Sequence, residues 1–373
     1  MPGLILGIET SCDETSAAVV RNGHEILSNI VASQIATHSA YGGVVPELAS
    51  REHLRNIVPV VRESLLLASV DIADLDAVAV TEGPGLAGAL LVGISYAKAL
   101  AYALQKPLIA INHLEGHIHA ALLAGQNALF AFPAIALVVS GGHTHLYLAE
   151  QEDGSWTYRN IGRTLDDAAG EAFDKVAKLG LAYPGGPWID ALAKYGDAAA
   201  VKFSFSQVKT KPYRAAHAMN TDFLFSFSGL KTAVLRYVET HGMKEGIAGR
   251  REQLVANPTA TIADALALCD SETLGLIASF QSAVVNDLAR KTFAAAEYLG
   301  AHSVLVSGGV AANRELRARF TSEAAMRNLP IAFPTVSLST DNAAMIAAAA
   351  WAKLRVRAIA DSGLTAQPSL TLG

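Results

Sequence analysis

Short apolar runs alternate with helical stripes along most of the chain. Leu4-Ile5-Leu6-Gly7-Ile8 ends at Glu9 in a polar turn, and residues 16–20 return as a second apolar run. That pattern predicts a hairpin through 10–15, followed by a third strand at 25–33. Residues 50–69 put Leu54, Ile57, Val58, Val61 and Leu65 on one helical face. Strands are expected at 75–80 and 107–112. The turn Thr81-Glu82-Gly83-Pro84-Gly85 and a buried helix over 86–104 separate them, and a His-rich helix follows. The second half repeats the theme: strands at 134–139 and 145–150, a helix at 166–179, and a Gly-Pro turn at 183–187. Helices are expected after Phe227 and Leu274, then a strand at 304–306 and a long helix at 341–354.

Two of these apolar runs end in the same words. One stops at Ser140-Gly141-Gly142 and the other at Ser307-Gly308-Gly309; the opening strand with its Thr10-Ser11-Cys12-Asp13 turn is a third relative. Turns of small and hydroxyl residues after buried strands expose backbone N–H groups that can hold a phosphate. The repetition predicts a duplicated α/β architecture with a nucleotide in the cleft between two lobes. We expect residues 1–120 plus about 335–373 in the first lobe and about 121–334 in the second. An elaboration is expected around 236–275, where 243–269 reads as a surface addition.

Composition narrows the setting. A chain of 373 residues with 51% hydrophobic and 17% charged residues supplies a large core, and 30 Gly against 13 Pro favours tight turns over linkers. With 34 acidic and 29 basic residues the net charge is −5, which gives no general attraction to nucleic acid. Two cysteines, Cys12 and Cys269, are too few for a disulfide framework, so a reducing cytoplasm is expected. No secretory leader or membrane span is expected; residues 86–104 contain Gly88, Gly93, Ser95 and Lys98 and read as a buried helix.

The sharpest chemistry is Asn112-His113-Leu114-Glu115-Gly116-His117. On a helix His113 and His117 lie about 40° apart, so both rings can reach one ion. Glu115 lies about 200° from His113 and faces elsewhere, unlike the metallopeptidase signature, which needs Glu directly after the first His. The spacing equally fits two ordinary histidines near a helix start, the commoner arrangement. A clamp needs a third ligand; Asp341 is a candidate, and it also fits an N-cap. His119 is out of phase and reads as structural. Cys12 has no visible base beside it and reads as a small buried thiol rather than a nucleophile. Lys98 and Lys231 read most simply as solvated helix lysines.

Ordered motifs then identify a family. They are Thr10-Ser11-Cys12-Asp13-Glu14-Thr15, Tyr41-Gly42-Gly43-Val44-Val45-Pro46-Glu47, Gly83-Pro84-Gly85-Leu86, His113 with His117, and Val139-Ser140-Gly141-Gly142-His143-Thr144. Glu171-Ala172-Phe173-Asp174-Lys175, Tyr183-Pro184-Gly185-Gly186-Pro187, Phe225-Ser226-Phe227-Ser228-Gly229-Leu230-Lys231-Thr232, Ser307 through Asn313, and Thr340-Asp341-Asn342-Ala343 follow in order. Together, over residues 4–351, they closely resemble the universal tRNA threonylcarbamoyladenosine transferase family, TsaD in bacteria. The resemblance implies the duplicated fold of actin and the sugar kinases (ASKHA). It implies transfer of threonylcarbamoyl from threonylcarbamoyl-AMP to the N6 amine of adenosine 37 in tRNAs reading ANN codons, with release of AMP.

The same resemblance implies one Fe2+ or Zn2+ per chain on His113, His117 and Asp341. It implies a nucleotide site, open to AMP or ATP, on Val138, Val139, Ser140, Gly141, Gly142, Asp174, Gly186, Asp190 and Asn313. Asp13 and Glu14 are candidates for positioning the adenine amine or moving its proton; polar β-turn residues are the plainer reading. The turn N–H groups at 10–13 and 140–142 are candidates for stabilising phosphate and oxyanion. Gly185, Gly186, Gly308 and Gly309 would let backbone approach the nucleotide.

The partners implied are tRNA, a shorter paralogous subunit of the same fold and a small P-loop ATPase, and the chain alone is expected to modify tRNA poorly. A Pro-Arg-Pro-like stretch common in the family after the Phe203 region is replaced by Ser204-Phe205-Ser206-Gln207-Val208-Lys209. The nearby Lys209, Lys211 and Arg214, with Tyr213 among them, are a candidate tRNA contact or a solvated loop. A small-molecule kinase of the same fold would not need the histidine pair. A metal-dependent peptidase would not need the Ser-Gly-Gly repeat. A non-catalytic paralogue would not need His113, His117, Asp341 and Asp13 together.

Overall fold

The computed structural model describes residues 3–39, 41–123, 130–203, 220–257 and 259–373. The opening apolar run forms β1 (Leu4–Glu9) and turns back as β2 (Glu14–Arg21) and β3 (Glu25–Ser33). A short helix α1 (Ile35–Ser39) leads to α2 (Pro46–Ala68), then β4 (Ala77–Gly83), α3 (Ala87–Leu104), β5 (Leu108–Asn112) and α4 (His113–Ala120). Helix α2 starts four residues before the apolar stripe. Pro46 sits at its first turn, where a missing N–H costs nothing. The sheet order is β3-β2-β1-β4-β5, antiparallel through β1-β2-β3 and parallel through β1-β4-β5.

The second sheet repeats this arrangement. It is built from β6 (Ala134–Val139), β7 (Thr144–Glu152) and β8 (Ser155–Arg163). Helices α5 (Ala169–Val176), α6 (Gly185–Ala193), α7 (Ser228–Thr240), α8 (Lys244–Ala256), α9 (Ile262–Ala267) and α10 (Ser271–Tyr298) follow. Then come β9 (Ser303–Ser307), α11 (Arg314–Met326), β10 (Ile331–Ala332) and α12 (Ala343–Arg355). Its order, β10-β9-β6-β7-β8, has the same antiparallel and parallel pairings. The duplicated fold expected from the sequence is therefore present, but its halves correspond differently from the repeated words. The Ser140 and Ser307 turns end neighbouring strands of one sheet, where Val138 pairs with Ser307. By strand order, the counterpart of the Ser140 turn is the Ser11–Asp13 turn, and that of the Ser307 turn is Gly83-Pro84-Gly85.

Strand β8 is an edge strand of alternating half-buried and exposed residues, too polar to register as an apolar run. The expected helix at 166–179 begins only at Ala169, because Asp166 instead accepts hydrogen bonds from Phe227 and Ser228 N–H at the start of α7. The Gly-Pro turn at 183–187 is in part the first turn of α6. The 243–269 region is more than a surface addition. Arg250 is buried and donates to the carbonyls of Leu179 and Leu268 and to Thr273 Oγ1, tying α8 to the second core.

The two halves exchange helices. Helix α12 follows the second sheet but packs on the first, with Ala343–Ala350 against Ile5, Ala18, Val20, Ala79, Ile109 and Ile111. Gly7 makes this possible: a Cβ there would lie 2.3 Å from the Ala343 carbonyl oxygen. Helix α4 follows the first sheet but lays Leu114, Ile118 and Ala121 on Ala136, Val138, Tyr147 and Leu305 of the second. The two helices also touch each other. Helix α3, long and apolar enough by composition to cross a membrane, packs Ala89, Leu90, Ile94, Ala97 and Ala101 into the core under β4 and α2.

The chain after α12 returns along the first half. Ala360 N–H donates to the Leu108 carbonyl at 2.8 Å, and Gln367 N–H to that of Glu82 at 2.8 Å. Lys98, expected to be solvated, donates Nζ to the Ser362 and Leu364 carbonyls at 2.7 and 3.1 Å. Leu372 ends buried beside Leu114 and Ile118.

Candidate metal centre

Helix α4 begins with no connecting loop. Asn112, last residue of β5, caps it by accepting from Leu114 N–H at 2.9 Å, and its Nδ2 donates to the Thr371 carbonyl. His113 and His117 therefore project one turn apart, ring centroids 4.7 Å from each other and nearly perpendicular. From the other crossing helix comes Asp341. The cap of α12 is Asn342, which accepts from Met345 N–H at 3.1 Å, so Asp341 is not the N-cap and its carboxylate points to the histidines. Its Oδ1 lies 3.1 Å from His117 Nε2 and 3.6 Å from His113 Nε2.

One ligand atom from each of the three residues falls within a 4.8 Å group. Two imidazoles and one carboxylate, mostly buried, are a donor set for a first-row divalent metal. Two observations on this chain fit such an ion. Both histidines turn Nε2 toward the same Asp341 oxygen. Burial works against charge here, yet Asp341 and Glu9 push the His113 imidazole up to about 9, and the histidines hold Asp341 well below the usual carboxylate range. The carboxylates around the histidines thus favour positive charge at this cluster.

Behind His113 sits Glu9, fully buried at the end of β1, its Oε2 3.1 Å from His113 Nδ1 and 2.7 Å from Thr81 Oγ1. Sequence reasoning missed this residue. The signal was a lone acid closing an otherwise apolar buried strand. Glu115 turns away, as its position on the wheel predicts, and pairs with Lys353 of α12 at 2.9 Å. His119 donates to or accepts from the Tyr158 hydroxyl at 3.0 Å and stays apart from the cluster.

Asp13 and Glu14 lie at the β1–β2 turn. Burial, then the charges of Asp341 and Asp13, push the Glu14 carboxyl up to about 10. Burial and Asp13 likewise push the Cys12 thiol up, which keeps it protonated and unfit as a nucleophile. In the opposing turn Ser140 N–H donates to the His143 carbonyl and His143 N–H to Ser140 Oγ. Gly141 and Gly142 stand exposed, with open space where a Cβ would project; Gly186 and Gly309 are open in the same way. Val138 and Val139 are fully buried in β6, so only their backbone can serve a ligand. The His143 ring lies 6.2 Å from that of His113, which places the glycine turn beside the candidate metal centre.

The remaining expected residues already have partners. Asp174 Oδ1 accepts from Gly185 N–H at 2.7 Å and joins α5 to α6. Asp190 pairs with Arg314 Nε at 2.8 Å. Asn313 caps α11 through Leu316 N–H and donates to Gln281 Oε1. Gly185 and Gly308 are needed internally: a Cβ would meet the Ala177 side chain at the first and the Val139 carbonyl oxygen at the second. Burial, then Asp13 from one half and Asp174 from the other, push the Tyr183 phenol up. Lys209, Lys211, Tyr213 and Arg214 lie outside the described residues.

Two sheets of one order with exchanged helices define an α/β protein of the actin-like ASKHA class. Solved structures share this fold. Full-length HypF in the phosphate- and nucleotide-bound form matches with a TM-score of 0.54 at 13% identity, over 98% of this chain and 47% of that one. HypF of T. kodakarensis matches with a TM-score of 0.55 at 14% identity, over 95% and 48%. The tRNA N6-adenosine threonylcarbamoyltransferase family, TsaD, matches residues 25–348. Relatives of that name from Koribacter versatilis and Symbiobacterium thermophilum are 58% and 49% identical. They cover 99% and 100% of this chain, and the matches span 99% and 97% of those proteins. The chain belongs to this family, which makes it an acyltransferase that carries out the threonylcarbamoyl modification of tRNA.

Proposed function

We propose that the chain transfers threonylcarbamoyl from threonylcarbamoyl-AMP to N6 of adenosine 37 in tRNAs reading ANN codons, and releases AMP. The observation that carries the reading is the convergence of His113, His117 and Asp341, from the starts of the two crossing helices, beside the open Gly141–Gly142 turn. His113, His117 and Asp341 would hold one Fe2+ or Zn2+, which when bound would orient the threonylcarbamoyl group and polarise its carbonyl as a Lewis acid.

The chain's own residues do the rest. Backbone N–H groups of Gly141 and Gly142 hold the phosphate, and the open faces of Gly186 and Gly309 let the nucleoside approach. Asp174 fixes the start of α6. Asp190 and Asn313 reach ribose or adenine only by sharing their present partners, Arg314 and Gln281. A protonated Glu14 can donate a hydrogen bond, and Asp13 beside it can accept one from the adenine amine. AMP is a good leaving group, so no covalent enzyme intermediate is required. AMP or ATP can occupy the same cleft.

Residues 1–120 with about 335–373 serve as the first lobe and about 121–334 as the second, in a cytoplasmic enzyme. A shorter paralogous subunit is supported by the apolar outer face of α2 and α3, where Leu54, Val58, Leu66, Leu91 and Tyr102 are exposed. The small P-loop ATPase rests on the family resemblance alone. The test is incubation with threonylcarbamoyl-AMP, unmodified tRNA and these partners, followed by nucleoside analysis. Threonylcarbamoyladenosine formed only when the chain is present supports the reading. Its absence with all components present refutes it.

A further inference from the structure

Glu9 is a fully buried carboxylate, and among the described residues its one ion-pair partner is His113. Its other contacts are neutral donors: Ser11 N–H on Oε1 at 2.5 Å and Thr81 hydroxyl on Oε2 at 2.7 Å. Burial disfavours a carboxylate's charge, and neutral donors offset that only in part. His113 Nδ1 faces Glu9 Oε2 at 3.1 Å while Nε2 faces Asp341. One ring nitrogen therefore belongs to the carboxylate and the other to the metal centre. Ser11 Oγ also lies 3.1 Å from Nδ1 and competes for the same hydrogen. The charged acceptor makes the stronger bond, and Ser11 Oγ can turn its own proton elsewhere.

We propose that Glu9, held by Thr81 and the Ser11 N–H, is the positioning residue of this site. It accepts the Nδ1 hydrogen of His113, fixes the tautomer that presents the Nε2 lone pair to the metal, and makes that nitrogen a better ligand. His117 has no such support, since its Nδ1 lacks a partner among the described residues. The clamp is therefore asymmetric: among the described residues only the His113 ring has a carboxylate behind it. This rests on the metal reading given above. Partners of this kind change metal affinity by about 10–100-fold when removed.

The experiment measures Zn2+ and Co2+ affinity of the purified chain by chelator competition, with the Co2+ absorption spectrum and the thermal midpoint of the metal-free chain. Wild type should bind one ion. Glu9→Gln keeps the shape and loses the charge; it should bind about 10-fold or more weaker with an altered Co2+ spectrum, while the metal-free midpoint stays equal or rises. Thr81→Val should weaken binding less, and Ser11→Ala least. Equal affinity and spectrum in wild type and Glu9→Gln would overturn the inference and leave the metal site standing. So would a larger loss in Ser11→Ala than in Glu9→Gln. If Glu9→Gln does not fold, Thr81→Val decides: wild-type affinity and spectrum there overturn the proposal. No metal bound by wild type would instead refute the metal reading itself.

Discussion

After β1 the first sheet turns through Ser11, Cys12, Asp13 and Glu14; after β6 the second turns through Ser140, Gly141, Gly142 and His143. The strand order around the two turns is the same. Each also leans on the turn of the neighbouring parallel strand. A Cβ on Gly85 would lie 2.6 Å from the Ser11 carbonyl oxygen, and one on Gly308 2.4 Å from that of Val139. Yet the first turn gathers acids and the second exposes bare N–H groups. One backbone frame, used twice, thus places carboxylates in one turn and exposed glycine backbone in the other. The metal residues follow the same logic, since His113 and His117 come after the last parallel strand of one sheet and Asp341 after that of the other. A duplicated fold can divide one reaction between its halves because strand order fixes where a turn sits, not what it carries.

The most direct way to break this comparison is to remove the contribution of one half to the shared centre. A His113→Ala, His117→Ala double variant should lose the metal, from about one ion per chain to nearly none. Elemental analysis reads this, and unchanged metal would refute the assignment. His119→Phe, two residues on and bonded to Tyr158, should keep the ion.

The glycines sharpen the comparison next. Gly308 has φ +92° and faces the Val139 backbone, so Gly308→Ala should destabilise the chain by about 1–3 kcal/mol in urea unfolding. Gly142→Ala meets open space, so its stability should change by no more than about 0.5 kcal/mol. AMP binding by calorimetry should weaken in that variant. The opposite pattern, a fragile Gly142 and a tolerant Gly308, would mean that the open turn is structural.

Much of this was legible in advance, for identifiable reasons. Most strands announce themselves as apolar runs, while the polar edge strand β8 and the two-residue β10 do not; the histidine pair shows by a four-residue spacing that a helix turns into proximity. Asp341 was ambiguous because Asp and Asn both cap helices; only the structure gives the cap to Asn342. The Ser-Gly-Gly repeat pointed to duplication through turns that are neighbours rather than counterparts, because words mark turn chemistry and not strand order. Glu9 and Thr81 stayed hidden, 72 positions apart on adjacent parallel strands, since sequence carries no register between strands. Asp174, Asp190 and Asn313 were read for a nucleotide, and the structure gives each a protein partner first.

The smallest effect concerns pH, and it pits the two turns against each other. Burial, with Asp341 and Asp13 nearby, raises the folded Glu14 carboxyl to about 10 from an ordinary value of 4.5. Between those values the folded chain holds a proton that the unfolded chain has released. Glu14 therefore subtracts stability as pH rises through that window. Across the cleft, burial and the neighbouring histidines lower His143 to about 3 from 6.5. There the unfolded chain binds the extra proton, so His143 subtracts stability as pH falls from 6.5 toward 3. Both groups are neutral in the folded chain between roughly 6.5 and 8. Urea unfolding of the metal-free chain should show Glu14→Gln flattening the loss on the alkaline side, and His143→Asn flattening it on the acid side, each leaving the other limb unchanged. The His113 imidazole, raised to about 9, adds to the same alkaline loss, and binding of a cation at Asp341 offsets a charge that raises both groups, so the alkaline limb of the wild type should also flatten when the metal is restored. An alkaline limb that ignores both Glu14→Gln and the metal would separate the first turn from the metal centre.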